Sequence, residues 1–95
     1  MSPLHTAAAK GAFDVVHLLV SSEAVDLNAR GPQDATPLHL ASLTGSAPIV
    51  GLLLNAKADP SLVTDDGQTA LALADDPEVQ RLIEAAGGER DEGRN

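Results

Sequence analysis

The sequence predicts an all-α solenoid of stacked helix-turn-helix repeats, and internal similarity is the main reason. Residues 2–20 overlay residues 36–54 at an offset of 34 without a gap, and residues 69–74 overlay residues 36–41 at an offset of 33. A repeat of this length is one unit that buries its apolar face only by stacking on its neighbours. The chain has 95 residues, 43% of them apolar, and no cysteine, so aliphatic packing has to hold the array together.

Each copy is predicted to begin with a capped helix. Ser2, Thr36 and Thr69 stand at the starts of the three copies, where a hydroxyl can accept a hydrogen bond from a free backbone N–H. Pro3 and Pro37 follow at the first helical position, where the N–H that proline lacks would have no partner. These residues mark the starts of the first helices.

A second helix is predicted in each full copy. Gly11 and Gly45 stand where a left-handed residue would end the first helix and turn the chain. Apolar residues then recur over 15–19 and over 49–53, as expected of a helix with one face on the core. Each full copy is therefore predicted to be an antiparallel helical hairpin.

The third copy is shorter than the other two. Residues 77–83 overlay residues 48–54 at an offset of 29, which predicts four residues fewer in the turn between its helices. Asp76, Pro77 and Glu78 supply a helix cap, a first-position proline and an acid beside the positive end of the helix. This copy is predicted to end the array.

Turn-forming residues fill the stretches between the copies, 21–35 and 55–68. Asp65, Asp66 and Gly67 suit a tight turn in which Gly67 takes a positive φ, and residues 31–34 suit its counterpart one copy earlier. We therefore expect these stretches to be projecting loops.

Two sequence segments, TPLHLASLTG at 36–45 and IVGLLLNAKADPSLVTDDGQTALALA at 49–74, resemble the ankyrin repeat. The resemblance covers residues 2 to about 86. It implies helix pairs with β-hairpin loops projecting at right angles, and a concave surface formed by the first helices and the loops. It also implies a binding scaffold and not an enzyme. We expect an ankyrin domain at 1–86, with repeats at about 2–35, 36–68 and 69–86, and a disordered acidic and polar tail at 87–95.

Two positions depart from the ankyrin pattern. Lys57 replaces the glycine usual after the second helix, and Asp34 occupies the loop position that Gly67 holds in the next repeat. Both are expected to carry mild backbone strain, because a residue with a Cβ takes a positive φ at a cost.

The chain starts at the cap of its first helix, without the loop that would precede it. A natural terminal repeat and an excised piece of a longer array both explain this start, and we favour the excised piece. Phe13, His17 and Val20 are then expected to lie partly on an open N-terminal face.

None of the polar residues forms a pattern typical of catalysis or metal binding. His5 and His39 are one repeat apart, and the resemblance implies that both bridge the cap turn to the neighbouring loop. His17 lacks an i, i+4 partner for zinc, and turn or cap roles account for the acidic pairs 65–66 and 75–76. We expect no catalytic residue, no metal site and no cofactor.

The net charge of −8 opposes binding to nucleic acid or to anionic membranes. No apolar run approaches the length of a membrane span, and no secretory signal opens the chain. These features predict a cytoplasmic or nuclear protein whose partner is another protein.

The family's variable concave positions identify a candidate partner-binding surface, which we call the concave strip. It comprises Ala9, Lys10, Arg30, Pro32, Gln33, Ala35, Leu43, Thr44, Val63, Asp65, Asp66 and Gln68. Leu43 is predicted either to be an exposed apolar anchor or to be partly buried against the next repeat, and Val63 carries the same two alternatives.

Two functions follow from these features. In the first, the concave strip binds a basic and apolar partner protein, and the chain is expected to be a monomer, its open N-terminal face being the place for any weak self-association. In the second, the chain is a structural or regulatory segment of a longer ankyrin array in a multidomain protein, with binding determined elsewhere.

Overall fold

The computed structural model describes residues 2–87, and residues 88–95 of the predicted tail lie outside the described range. Serine or threonine caps and first-turn prolines start most of its helices, as expected. The helices are α1 (Pro3–Lys10), α2 (Phe13–Val20), α3 (Pro37–Thr44), α4 (Ala47–Asn55), α5 (Ala70–Leu73) and α6 (Pro77–Ala85), with a short 3-10 turn at Pro32–Asp34. The described part is elongated, with extents of 36 × 24 × 24 Å.

The helices stack in two rows that follow chain order. The inner row contains α1, α3 and α5, the outer row contains α2, α4 and α6, and each inner helix packs on the outer helix that follows it. Aliphatic side chains fill the space between the rows. The largest of these buried side chains are Leu4, Leu38, Ile49, Leu53, Ile83, Val16, Val50 and Val79.

The predicted helix ends are confirmed. The hydroxyls of Ser2, Thr36 and Thr69 each accept a hydrogen bond from the backbone N–H three residues later. Gly11 and Gly45 end α1 and α3 in the left-handed conformation, with φ of 70° and 75°. The caps and glycines therefore define the helical hairpins locally, before any packing between repeats is considered.

The third repeat is shorter than the second by three residues, where four were expected. Both α4 and α6 have nine residues, and their starts and ends each differ by 30. Aligning Pro77 with Pro48 produced the error. Pro77 is the first residue of α6 and Pro48 is the second residue of α4, and neither position needs an N–H for the helix.

The projecting loops are tight turns and not β-hairpins. Gly31 N–H donates to the Ala35 carbonyl at 2.8 Å, and Thr64 N–H donates to the Gln68 carbonyl at 2.9 Å. No strand occurs between residues 2 and 87. The other backbone bonds within these loops, such as the one from Gly67 N–H to the Thr64 carbonyl, join residues three apart and close turns, so they do not form a strand ladder.

Within residues 2–87, three residues other than glycine have positive φ. Lys57 has φ of 81°, and Asp34 has φ of 61°, as expected from the missing glycines. Gln33, also at 61°, was not anticipated. The first loop therefore places two consecutive non-glycine residues in the left-handed region.

The open N-terminal face differs from the expectation. Val15 is 47% exposed, whereas Ile49, its equivalent one repeat later, is 2% exposed because the first repeat covers it. Phe13 instead lines a groove of the outer row with residues of α4 and α6, and His17 lies beside its ring. Val20 packs partly against the core. The prediction that Phe13 lies partly on the open face was wrong, because its side chain points toward α4 and not away from it. Val15, which was not predicted there, is the exposed apolar residue.

Candidate partner-binding surface

Two buried histidines tie the first helices to the loops. His39 Nδ1 accepts from the Thr36 backbone N–H at 3.0 Å, so Nε2 carries the proton and donates to the Gln68 carbonyl at 2.9 Å. His5 makes the equivalent bond to the Ala35 carbonyl at 2.8 Å. Each histidine therefore holds the end of the following loop, which confirms its predicted structural role.

Burial and nearby groups change the pKa of His39. Burial lowers the pKa of His39 below its ordinary value of 6.5, and the positive charge of Arg30 acts in the same direction. The hydrogen bond to the Gln68 carbonyl raises the pKa of His39 and only partly offsets the effect of burial. The neutral imidazole fits these contacts, because Nδ1 has to accept from the Thr36 N–H while Nε2 donates to the Gln68 carbonyl.

Gly31 allows the first loop to approach His5 closely. A Cβ on Gly31 would lie 2.9 Å from both Cδ2 and Nε2 of that ring. Sequence reasoning placed Gly31 in a turn but missed this requirement, which depends on a contact between residues 26 positions apart. The lack of a side chain here brings the Ala35 carbonyl within reach of the imidazole.

Arg30 joins the two loops. Its Nη1 donates to the Val63 carbonyl at 2.6 Å and to the Asp34 carbonyl at 3.1 Å. The backbone N–H of Asp65 also donates to the Gln33 carbonyl at 2.9 Å. These bonds make the two loops one continuous surface. Arg30 was predicted to contact a partner, but its guanidinium donates hydrogen bonds to carbonyls of the chain itself.

Most of the predicted concave strip is accessible. Ala35 is the exception: it is 8% exposed because it lies below the loop, against the His5 ring. Leu43 is 62% exposed and Val63 is also exposed, so the structure supports the first of the two alternatives for both residues. The other accessible positions are Ala9, Lys10, Arg30, Pro32, Gln33, Thr44, Asp65, Asp66 and Gln68.

Half of the strip surrounds one cleft. We call it the α3–loop cleft, a concavity of about 110 Å³ between α3, α5 and the two loops. Its lining includes six strip residues: Gln33, Ala35, Leu43, Asp65, Asp66 and Gln68. Leu40, Leu73, His39 and Thr64 complete it. Lys10 lies elsewhere, in a shallow pocket beside Val15.

The cleft combines an apolar wall with an acidic rim. Leu40, Leu43 and Leu73 supply the wall, and the exposed carboxylates of Asp65 and Asp66 supply the rim. No lysine or arginine is among the residues that line it. This arrangement can bury an apolar surface against the wall and attract positive charge to the rim.

Within residues 2–87, no group of three or more His, Asp or Glu side chains is placed to hold a metal ion. No helix in that range is long and apolar enough to cross a membrane.

The family model described as "Ankyrin repeats (3 copies)" matches residues 1–64. Among curated proteins, the chain is 36% identical over 92 residues to Neurogenic locus notch homolog protein 2 of Homo sapiens, covering 94% of the chain and 4% of that protein. It is 41% identical over 70 residues to Palmitoyltransferase akr1 of Schizosaccharomyces pombe, covering 74% of the chain and 11% of that protein.

Solved structures show the same fold. The human ASB11 ankyrin repeat domain superposes with a TM-score of 0.86 at 27% identity, over 94% of this chain and 41% of that chain. A chain of the complex between the predatory endopeptidase Bd0816 of Bdellovibrio bacteriovorus and the immunity protein Bd3460 has the same TM-score at 35% identity, over 94% of this chain and 48% of that chain.

The chain spans a small fraction of these curated relatives and less than half of the solved chains. Ankyrin repeats are generally protein-interaction modules and are typically non-catalytic. With its helical hairpins, histidine bridges and matched repeats, the chain belongs to the ankyrin repeat family.

Proposed function

We propose that the concave strip binds a basic and apolar segment of a partner protein. The observation that carries this proposal is the α3–loop cleft, where six strip residues surround one concavity. Rigid elements hold its two sides, because the histidines fix the loops to the helices and Arg30 fixes one loop to the other. A pre-organised surface loses little conformational entropy on binding.

The chemistry of the strip defines the partner. Leu43 presents an exposed apolar side chain in the middle of the strip, and burial of such a side chain by a partner removes apolar surface from water and favours binding. Asp65 and Asp66 attract positive charge, and the net charge of −8 has the same sign. A partner segment with basic and apolar side chains complements both features.

Site-specific crosslinking from cell lysate tests the proposal. A photo-crosslinking amino acid at position 43 is expected to capture a partner that the same group at Leu18 does not capture. Leu18 is a matched control, because it is 72% exposed on α2, in the outer row. The variant Leu43→Lys is expected to lose that partner, and Leu18→Lys is expected to retain it. Equal capture from both positions would contradict the proposal.

A second function is supported by a different residue, Val15. Its exposure of 47%, against 2% for Ile49, leaves an apolar stacking position uncovered. We propose as the alternative that the chain is a structural segment of a longer array, with units at 2–35, 36–68 and 69–86 that each begin at a cap. Concentration-dependent self-association, removed by Val15→Glu, would favour it. A clean monomer in sedimentation equilibrium would favour the first proposal.

A further inference from the structure

We infer that the α3–loop cleft binds an arginine side chain of the partner, an inference that rests on the proposed function. The cleft has the size of a single side-chain pocket, about 110 Å³, so it accepts one residue and not a helix or a strand. Its lining therefore defines one side chain of the partner segment.

The apolar wall selects a long stem. Leu40 and Leu73 are half-buried and Leu43 is exposed, so together they offer a hydrocarbon surface at the side of the cleft. Long cationic side chains place their methylene groups along such surfaces while the charged end stays at the polar rim. A short acidic or hydroxyl side chain would leave this wall uncovered.

The rim selects positive charge. Asp65 and Asp66 line the cleft with two exposed carboxylates, and no interaction within the described residues satisfies either side chain. The arginine of the first loop, Arg30, donates to the Val63 and Asp34 carbonyls and pairs with neither aspartate within the described residues. The chain thus supplies the anions of a charge pair and leaves the cation to the partner.

The choice of arginine over lysine follows from the acceptors. Besides Asp65 and Asp66, the lining includes Gln33 and Gln68, whose side chains each carry one oxygen acceptor, so the residues around the cleft offer more than one acceptor to a donor with several N–H groups. A guanidinium offers five N–H donors in a planar fork and is more weakly hydrated than an ammonium, so it is desolvated more readily at a partly apolar site.

Nuclear magnetic resonance titration of the ¹⁵N-labelled chain tests this inference at low ionic strength. The probes are the acetylated amides of arginine, lysine and citrulline, of which citrulline is the neutral isostere of arginine. We expect arginine amide to give saturable shifts at the amide signals of Leu43 and residues 64–68, in the millimolar range expected for so small a ligand. Lysine amide is expected to bind more weakly, and citrulline amide not to saturate.

Two variants separate the cleft from general electrostatics. Asp66→Asn is expected to weaken arginine amide binding about three- to tenfold. Asp75→Asn removes the same charge from an exposed residue outside the cleft and is expected to change the affinity by less than about twofold. Neither carboxylate holds a hydrogen bond within the described fold, so both variants should fold.

Each outcome bears on the inference. Absence of saturation, equal binding of citrulline or lysine amide, or unchanged affinity in Asp66→Asn would overturn it. If arginine amide fails while crosslinking from position 43 still captures a partner, the arginine pocket alone is refuted. If arginine amide binds but capture does not depend on Leu43, the cleft is an arginine site and the proposed function is wrong.

Discussion

Ser42 is expected to lower the stability of the fold. Its side chain is 1% exposed on α3, and its hydroxyl has no hydrogen-bond partner among the described residues. The equivalent position in the first repeat, Ala8, is fully buried and carries no hydroxyl. The substitution Ser42→Ala removes the orphaned group and reproduces the side chain that the first repeat already uses.

Two contributions set the expected change in the free energy of unfolding. A buried polar group without a partner costs about 1 to 3 kcal/mol in lost hydration. Alanine also has a higher helix propensity than serine, by about 0.5 kcal/mol. A small void left by the hydroxyl opposes both, so we expect Ser42→Ala to raise the free energy of unfolding by about 1 to 2 kcal/mol. For a domain of this size, each kcal/mol raises Tm by about 4 to 8 °C.

Urea unfolding followed by far-ultraviolet circular dichroism measures the change. The chain has no tryptophan and no tyrosine, so helix content is the appropriate signal. The midpoint should rise with an unchanged slope, because the surface exposed on unfolding stays the same. Ala8→Ser is the matched control, since it introduces the hydroxyl at the equivalent buried position and should lower the midpoint.

An unchanged or lower midpoint in Ser42→Ala would refute the reasoning. It would mean that the hydroxyl has a partner after all, for example the carbonyl one turn earlier in α3, and that this bond offsets the cost of burial. A fall in Ala8→Ser without a rise in Ser42→Ala would assign the effect to packing at each position and not to the hydroxyl.

Gly31→Ala should lower the free energy of unfolding by about 1 to 3 kcal/mol, because its Cβ would lie 2.9 Å from the His5 ring. Gly51→Ala has no atom within 4 Å of the new Cβ and should instead raise the free energy of unfolding by about 0.5 to 1 kcal/mol. Lys57→Gly relieves a φ of 81° and should raise both the melting temperature and the free energy of unfolding. The gain in free energy should not exceed about 1 kcal/mol, because glycine also gains entropy in the unfolded chain. A lower melting temperature would show that the lysine side chain stabilises the turn. Because burial lowers the pKa of His39, the unfolded chain binds the proton more tightly, so stability present above about pH 6.5 should be lost as the pH falls through the lowered folded pKa. Urea midpoints measured from pH 8 to pH 5 would show this loss, and it should be smaller in a folded His39→Gln variant.

The local features of the fold could be predicted because single residues determine them. A hydroxyl before a helix and a glycine after it act through bonds within one turn, so Thr36 and Gly45 could be assigned from the sequence. The left-handed conformation of Lys57 followed for the same reason, from the position of a missing glycine. The bridging role of His39 came from the family pattern and its spacing.

Features that depend on how the repeats meet could not be predicted. The offset of 30 between α4 and α6 was hidden because proline fits either of the first two helical positions. The use of Arg30 depends on two carbonyls, of Asp34 and Val63, that come together only after the loops stack. In the binding surface, exposure of Leu43 could be proposed from its place in the helix, but burial of Ala35 follows from a loop contact across the repeat.

The unequal burial of the outer helices creates a gradient of local stability along the array. Val16 is the fully buried residue of α2, whereas α4 buries Ile49, Val50 and Leu53. In a linear array each unit is stabilised by its neighbours, so the helix with the smaller buried face opens at lower free energy than the whole domain unfolds. Amide hydrogens of α2 should therefore exchange with solvent through local fraying, and those of α4 only through global unfolding. The first loop is held by His5 of α1, so opening of the first hairpin should also loosen that side of the α3–loop cleft. The second loop is held by His39 of α3 and should keep its shape.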